Sequence, residues 1–380
     1  MKYDLRSARS GLLFCSLVLL TYGLLMLCSA TQPLVHGYTY FIKQCAWCGV
    51  AGVCFLIFTF FPLRKLERFG PWIGLLTIGL LLSVFIPGLG RCIKGSRRWI
   101  GSGGLRFQPS EPAKIGFILF FSYFLTNHMH EKSFFKSFVR PVACIGVFCA
   151  LLMLEPDFGT TALFGTVAAL LLFVRGIRWL YIIPAAVGAL GLFGIAIYQN
   201  PIRLNRVLAF LDLEANRTGS GYQLWQSLLA FSSGGWFGCG LGQGRQPFFF
   251  LPEAHTDFIG AVLAEELGIV HMIIVLLCFG GIAFWGLKIT RSHTEPFLFY
   301  IGLGTVCFLT TQVFLNLGVI TGLLPTKGLA LPFLSYGGSN LVTNACFIGL
   351  LTNLSRDCYS PLRRLKYKMR SAQISAGYRI

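Results

Sequence analysis

The sequence predicts an all-α polytopic membrane protein, with about ten transmembrane helices and one large extracytoplasmic loop. Three observations carry this. First, the 380 residues are 55% hydrophobic and only 12% charged, with a mean hydropathy of +0.68, whereas a soluble domain carries about 25% charged residues. Second, apolar runs near the roughly 20 residues that cross a bilayer recur along the whole chain. Third, Lys and Arg are divided unevenly between the segments that separate these runs.

The runs are 11–30, 44–62, 70–90, 111–126, 141–154, 160–174, 179–199, 257–286, 297–318 and 337–354. The first follows a basic start, as a signal peptide does. It is too long for the apolar region of such a peptide, and many spans follow, so it reads as an uncleaved helix. The fifth and sixth are short and meet at Glu155–Thr160. With no internal repeat or low-complexity linker, residues 1–380 read as one domain, with an outer loop at 200–256 and a basic tail at 355–380. If the N-terminus is cytoplasmic, 20 of the 32 Lys and Arg residues fall on the cytoplasmic side. Both termini are then cytoplasmic. The net charge of +18 follows from basic loops and needs no nucleic acid to explain it. Most of the 13 cysteines sit in apolar runs as small hydrophobes. Cys45 and Cys48 lack the second pair a metal site needs, nothing in the sequence argues for a bridge between Cys92 and Cys239, and the histidines show no metal spacing.

Some basic residues run against the insertion bias. Segment 91–110 carries Arg91, Lys94, Arg97, Arg98 and Arg106, and the outer loop carries Arg203, Arg206, Arg217 and Arg245. Such placement fits either an anionic ligand on the outer face or phospholipid headgroups. The loop is rich in Gly and aromatics, and a structureless segment of that length is uncommon unless functional. Residues 221–231 within it read as a short amphipathic helix at the interface.

Acids within spans are costly and point to function by default. Asp257 opens the eighth run after Glu253 and His255. It could act as a general base toward an outer-face substrate or cap the helix, and spacing does not choose between the two. Residues 257, 261, 264 and 268 are Asp, Ala, Ala and Gly, a small-residue stripe that permits close packing and could leave a cleft above it. Glu265 and Glu266 lie about 12–14 Å deeper and read as structural, protonated or hydrogen-bonded. Glu111 and Lys114 share a helix face and are expected to pair. Asp157 in EPDFGT interrupts an apolar hairpin, which requires protein or a water-filled cavity around it. A second interruption spans Pro325–Gly338. Two such breaks at one depth also suit a transporter.

These segments together resemble the SEDS family (shape, elongation, division, sporulation) of bacterial cell-wall proteins. The likeness rests on GSRRWIGSGGLRFQPSEPAK at 95–114, EPDFGT at 155–160, RVLAFLDLEANRTGSGYQLWQSLLAFSSGGWFGCGLGQG at 206–244, LPEAHTDFIGAVLAEELG at 251–268 and GLLPTKGLALPFLSYGGSN at 322–340. The EAHTDFI and GSRRWI wording is closer to the division branch than to the elongation branch. Glu155 stands where Gln is common, Gly260 where Phe is common, and Pro112 is an unusual choice. None of these touches the HTDF aspartate.

The resemblance implies a peptidoglycan glycosyltransferase in the bacterial cytoplasmic (inner) membrane that polymerises lipid II on the outer face. It also implies a class B penicillin-binding transpeptidase and other divisome proteins as partners, and Asp257 as the catalytic residue. The reaction it implies is inverting. Asp257 takes a proton from the acceptor sugar hydroxyl, that oxygen attacks the donor's anomeric carbon, and undecaprenyl pyrophosphate leaves. Residues expected at the substrate are Arg97, Arg98, Glu111, Lys114, Asp157, Arg203, Arg206, Gln223, His255, Lys327 and Ser335. No organic cofactor is expected. A divalent cation, Mg or Mn, is a candidate Lewis acid with unidentified ligands. A lipid II flippase and a non-enzymatic division scaffold are the alternative readings. The partner's transmembrane helix is expected to dock on small-residue faces at Gly280–Gly281 with Ala283, or at Gly302 and Gly304, unless these glycines pack within the bundle.

Overall fold

Each apolar run is bounded by Pro, Gly or charge, and each becomes a helix in the computed structural model. The structure describes residues 5–32, 37–93, 96–101, 107–127, 138–244, 254–326 and 328–357. In order, the elements are α1 (Leu5–Thr31), α2 (Gly37–Phe60), the short α3 (Leu63–Arg68), α4 (Gly70–Leu82), β1 (Gly90–Ile93), β2 (Ser96–Ile100), α5 (Ser110–Asn127), α6 (Arg140–Leu154), α7 (Phe158–Val174), α8 (Trp179–Tyr198), α9 (Pro201–Leu211), α10 (Tyr222–Gly234), α11 (Ile259–Arg291), α12 (Pro296–Ile320) and α13 (Gly338–Asp357).

Among the described residues, ten of these helices occupy the ten apolar runs. Five of them, α1, α2, α8, α11 and α12, are long and apolar enough to cross a membrane, while α4, α6 and α7 are shorter apolar helices. Proline opens α4, α6, α9 and α12, where its missing N–H costs nothing and its fixed φ suits the first turn.

Helix α12 is the hub. It packs on α5, α7, α11 and α13, and 67% of its apolar window is buried. Beside it Phe117, Phe121, Phe148, Phe164 and Phe308 form a cluster of edge-on and stacked rings. Helix α8 is the opposite case, with no buried residue. Gly281, Gly302 and Gly304 are absorbed by internal packing. A Cβ at these positions would meet Cys15, Thr290 and Ile118 respectively, at 2.7, 2.5 and 3.3 Å. The docking face expected at Gly302 and Gly304 is therefore inside the bundle, and of these glycines only Gly280 faces open space.

The loop at 200–256 is more structured than the sequence suggested. Helix α9 was not foreseen. The expected helix at 221–231 is present as α10, but it packs against α11 with Leu224, Gln226, Ser227, Ala230 and Gly234 buried. The stripe Ala261, Ala264 and Gly268 is filled by this contact, because a Cβ on Gly234 would fall 2.0 Å from the Ala264 carbonyl. Among the described residues no cleft opens over Ala261, Ala264 and Gly268, which are buried.

The eighth run, read as continuous, is broken. Gly268 has φ 81° and ψ 179° inside α11, a conformation open to Gly alone at low cost. The loop stitches the break. The N–H groups of Cys239 and Gly240 donate to the carbonyls of Glu265 and Glu266, and those of Ile269 and Val270 donate to Gly235 and Trp236. Four backbone groups that a regular helix would join in two internal bonds, 269 to 265 and 270 to 266, bond to the loop instead, so these four stay paired across the break. Gly238 is required there, since a Cβ would fall 2.2 Å from the Glu266 carbonyl.

Candidate active site

Three groups of polar residues converge on the chain that runs from Gly328 to Asn340. The first is built on the β1–β2 hairpin. Alternation along β2 sends neighbouring arginines apart, leaving Arg97 exposed and turning Arg98 toward the α6–α7 turn. The Arg98 guanidinium donates to the Glu155 carbonyl at 3.1 Å and to the Pro156 carbonyl, and lies 3.7 Å from Asp157 Oδ1. Asp157, 2% exposed, caps α7. It accepts from the Thr160 N–H at 3.2 Å and the Thr160 hydroxyl at 2.9 Å, as an aspartate at a helix start does. Gln108 Nε2 reaches its other oxygen at 3.5 Å.

Glu155 is fully buried, and neither carboxylate oxygen has a hydrogen-bond partner among the described residues. Burial, then the Asp157 charge, push its pKa up to about 8, with Arg98 pulling the other way. Its surroundings thus favour the protonated form. Arg203, from α9, stacks 3.9 Å over the Phe158 ring. Burial and then Arg98 push its pKa below the ordinary value, as expected where two cations approach each other. Arg206 is exposed on the same helix.

The second group lies deep in the bundle. Lys114, 1% exposed, donates to Glu111 Oε1 at 2.8 Å and to Gln312 Oε1 at 2.9 Å. The expected pair is present, and its third member, Gln312, was missed. Gln312 Nε2 continues to the Ala330 carbonyl at 2.7 Å and to Asn340 Oδ1 at 3.2 Å, and Asn344 donates to the same oxygen at 2.9 Å.

The third group surrounds Asp257. This residue lies in the turn 254–258, ahead of α11, and Phe258 holds the position that caps the helix. A Cβ placed on Gly328 would come 3.3 Å from Asp257 Oδ2, so the carboxylate rests against the backbone of the 328–331 segment. Asn316 donates to the carbonyls of Asp257 and Leu329, at 2.9 and 2.6 Å. Ser335 donates to the Thr256 carbonyl at 2.6 Å and accepts from the Leu331 N–H at 2.7 Å. The His255 ring lies between Tyr40 and Tyr336, with centroids 5.2 and 5.8 Å away.

The first and third groups meet through Leu329, whose side chain would touch a Cβ on Gly159 at 2.8 Å. The first also reaches α13, since the Gln108 N–H donates to Ser339 Oγ at 3.1 Å. Gln223 lies half-buried on α10. Lys327, the remaining sequence-based candidate, lies outside the described residues, as do Arg245 and Glu253. Among the described residues no three His, Cys, Asp or Glu side chains converge to hold a metal ion.

Gln312 and Asn316, which bond the chain around Asp257 and the 328–331 segment, have no place in the reading of the sequence. A detectable signal existed: two amides four residues apart in an otherwise apolar span are as conspicuous in lipid as a charge.

The profile of the FtsW/RodA/SpoVE cell cycle protein family matches residues 10–360. A probable peptidoglycan glycosyltransferase FtsW from Geobacter metallireducens is 38% identical over 93% of this chain and 95% of its own. One of the same description from Coxiella burnetii is 38% identical over 90% of this chain and 95% of its own. Among solved structures, a chain from a study titled "Structural coordination of polymerization and crosslinking by a peptidoglycan synthase complex" superposes with a TM-score of 0.79. It is 26% identical and covers 95% of this chain and 99% of its own. The rod shape determining protein RodA of Thermus thermophilus superposes with a TM-score of 0.69 at 27% identity, over 92% of this chain and 97% of its own.

Proposed function

The chain belongs to the FtsW/RodA/SpoVE family, and from that premise we propose that it is an inverting peptidoglycan glycosyltransferase. It polymerises lipid II into glycan strands for septal cell-wall synthesis. It works in the cytoplasmic (inner) membrane with both termini inside and Asp257 on the outer face. The observation that carries the reading is the setting of Asp257. Its carboxylate stands at the mouth of the bundle, half-exposed, against a backbone wall whose position is fixed from beneath by buried amides.

In this reading Asp257 accepts the proton of the 4-hydroxyl of the acceptor's N-acetylglucosamine. That oxygen forms the new bond to the anomeric carbon of the donor's N-acetylmuramic acid. The bond from that carbon to the pyrophosphate breaks, and undecaprenyl pyrophosphate leaves with the electron pair. Arg98 and Arg203, with the exposed Arg97 and Arg206, offer charge-assisted hydrogen bonds to the departing phosphates. A divalent cation would supply Lewis-acid stabilisation to the same phosphates. The described residues provide no three-ligand protein site for it, so no step is assigned to it. The orientation follows from the 20 of 32 basic residues on the proposed inner side. A class B penicillin-binding transpeptidase and other divisome proteins are the proposed partners, and no nucleic acid is involved.

Purified protein incubated with lipid II tests this. Glycan polymer on a gel supports the reading. Transfer of lipid II across vesicles without polymer would make the protein a flippase, and neither activity would make it a scaffold.

A further inference from the structure

Asp257 sits in a turn, so no helical ladder holds its backbone, and the neighbouring 328–331 wall is irregular as well. Two side chains on α12 hold both. Gln312 and Asn316 are four residues apart, one above the other on the same helix face, and are 1% and 2% exposed.

Their orientations follow from charge. The Lys114 ammonium can only donate, so Gln312 must present Oε1 to it, at 2.9 Å. That choice turns both Gln312 N–H groups away from the ammonium, onto the Ala330 carbonyl and Asn340 Oδ1. Backbone carbonyls can only accept, so Asn316 must present Nδ2 to Asp257 and Leu329. Three carbonyls outside the helices, at 257, 329 and 330, are thus held by two amides, one of them set by a buried charge.

We propose that Gln312 and Asn316 are positioning residues of the transfer site, a two-amide strap that fixes the Asp257 backbone and the wall beside its carboxylate. The proposal rests on the reading of Asp257 as the base. Its function is geometric. In a site that depends on a near-attack arrangement, a displacement of about 1 Å costs on the order of 100-fold in rate. The strap also offsets part of the polar cost of burying two amides, since Gln312 has both N–H groups and its oxygen bonded while Asn316 uses its N–H groups alone.

The test uses the full-length protein. Asn316→Asp and Gln312→Glu keep shape and remove N–H donors, and the new Glu remains beside Lys114. Asn316→Ser, which keeps one donor, should recover part of any loss. Asn353→Ala is the control, because Asn353 holds the carbonyls of Phe58 and Phe61, away from Asp257. Two quantities are measured: kcat and KM for lipid II polymerisation, and amide hydrogen exchange over residues 328–335.

The strap predicts a fall in kcat of about 100-fold with KM within about twofold, together with faster exchange, in both acidic variants and not in the control. A wild-type kcat in folded variants, a change confined to KM, or unchanged exchange would each overturn it. If Asn316→Asp does not accumulate, Gln312→Glu and Asn316→Ser carry the same comparison. Asp257→Asn run alongside separates the two ideas. An inactive Asp257→Asn beside an active Asn316→Asp removes the strap and keeps the base. An active Asp257→Asn removes the base, and exchange still decides whether the strap exists.

Discussion

Glu155 and Glu266 are both completely buried carboxylates beside an interruption in a helix, yet their surroundings are opposite. Glu266 accepts from Ser29 Oγ at 2.7 and 2.6 Å, and from the N–H groups of Gly242 and Gly244. It belongs to the seam where the outer loop repairs the break in α11. Glu155 has Arg98 beside its main chain, but neither of its side-chain oxygens is bonded among the described residues. A buried carboxylate given donors acts as a structural clasp, whereas one denied them has only its burial and its charged neighbours to set its protonation. The contrast separates acids that build the scaffold from those at the active end, although the sequence marks both in the same way.

The largest expected effect breaks the clasp. Glu266→Ala strands the Ser29 hydroxyl and two backbone N–H groups, at about 1–3 kcal/mol each, and undoes the loop-to-helix seam. Thermal unfolding in detergent should show a loss of several degrees, or failure to accumulate, while Glu155→Ala should be far milder. Equal losses would erase the distinction.

Next comes the anion site. Arg98→Ala should weaken lipid II binding by about tenfold or more, the worth of a desolvated charge-assisted contact. Arg64, in an exposed ion pair with Glu295 at 3.0 Å, should leave binding unchanged on replacement by Ala. Equal effects in a binding titration would point to general membrane electrostatics.

The pH response of Glu155 is smaller. Its folded pKa of about 8 lies above the ordinary 4.5, so the native state holds the extra proton between these values. The stability it contributes is complete at acid pH and is lost as pH rises through about 8. Above that value its charge also competes with Asp157 for Arg98. Glu155→Gln should therefore match wild type below about pH 4.5 and flatten the fall in melting temperature between there and about pH 8, and it should hold the polymerisation rate where the wild type declines around pH 8. An unchanged alkaline limb would show that Glu155 is not the titrating group. Smallest of all, Arg64→Ala should alter stability by less than about 1 kcal/mol.

Much of this was legible in the sequence. Apolar runs located the helices because a bilayer imposes length and hydrophobicity on them. The spacing of Glu111 and Lys114 located their pair, and the assignment of Glu265 and Glu266 to the scaffold agrees with the Glu266–Ser29 contact. The Gly268 break was hidden because a single Gly in an apolar run is also compatible with an intact helix. Its partner segment lies about 30 residues earlier, at 235–240, a pairing no local pattern announces. Helix α9 was masked by the polar composition of the outer loop. Gln312 and Asn316 carry no charge to mark them in an apolar span, since the strap is made of neutral amides.

The account turns on the Asp257 carboxylate as a base held in place. Asp257→Asn preserves shape and hydrogen-bonding size but removes the basic oxygen. In purified, folded protein that still binds lipid II, the account predicts that polymerisation falls below detection in Asp257→Asn and is partly retained in Asp257→Glu. Polymerisation by Asp257→Asn near the wild-type rate would contradict it.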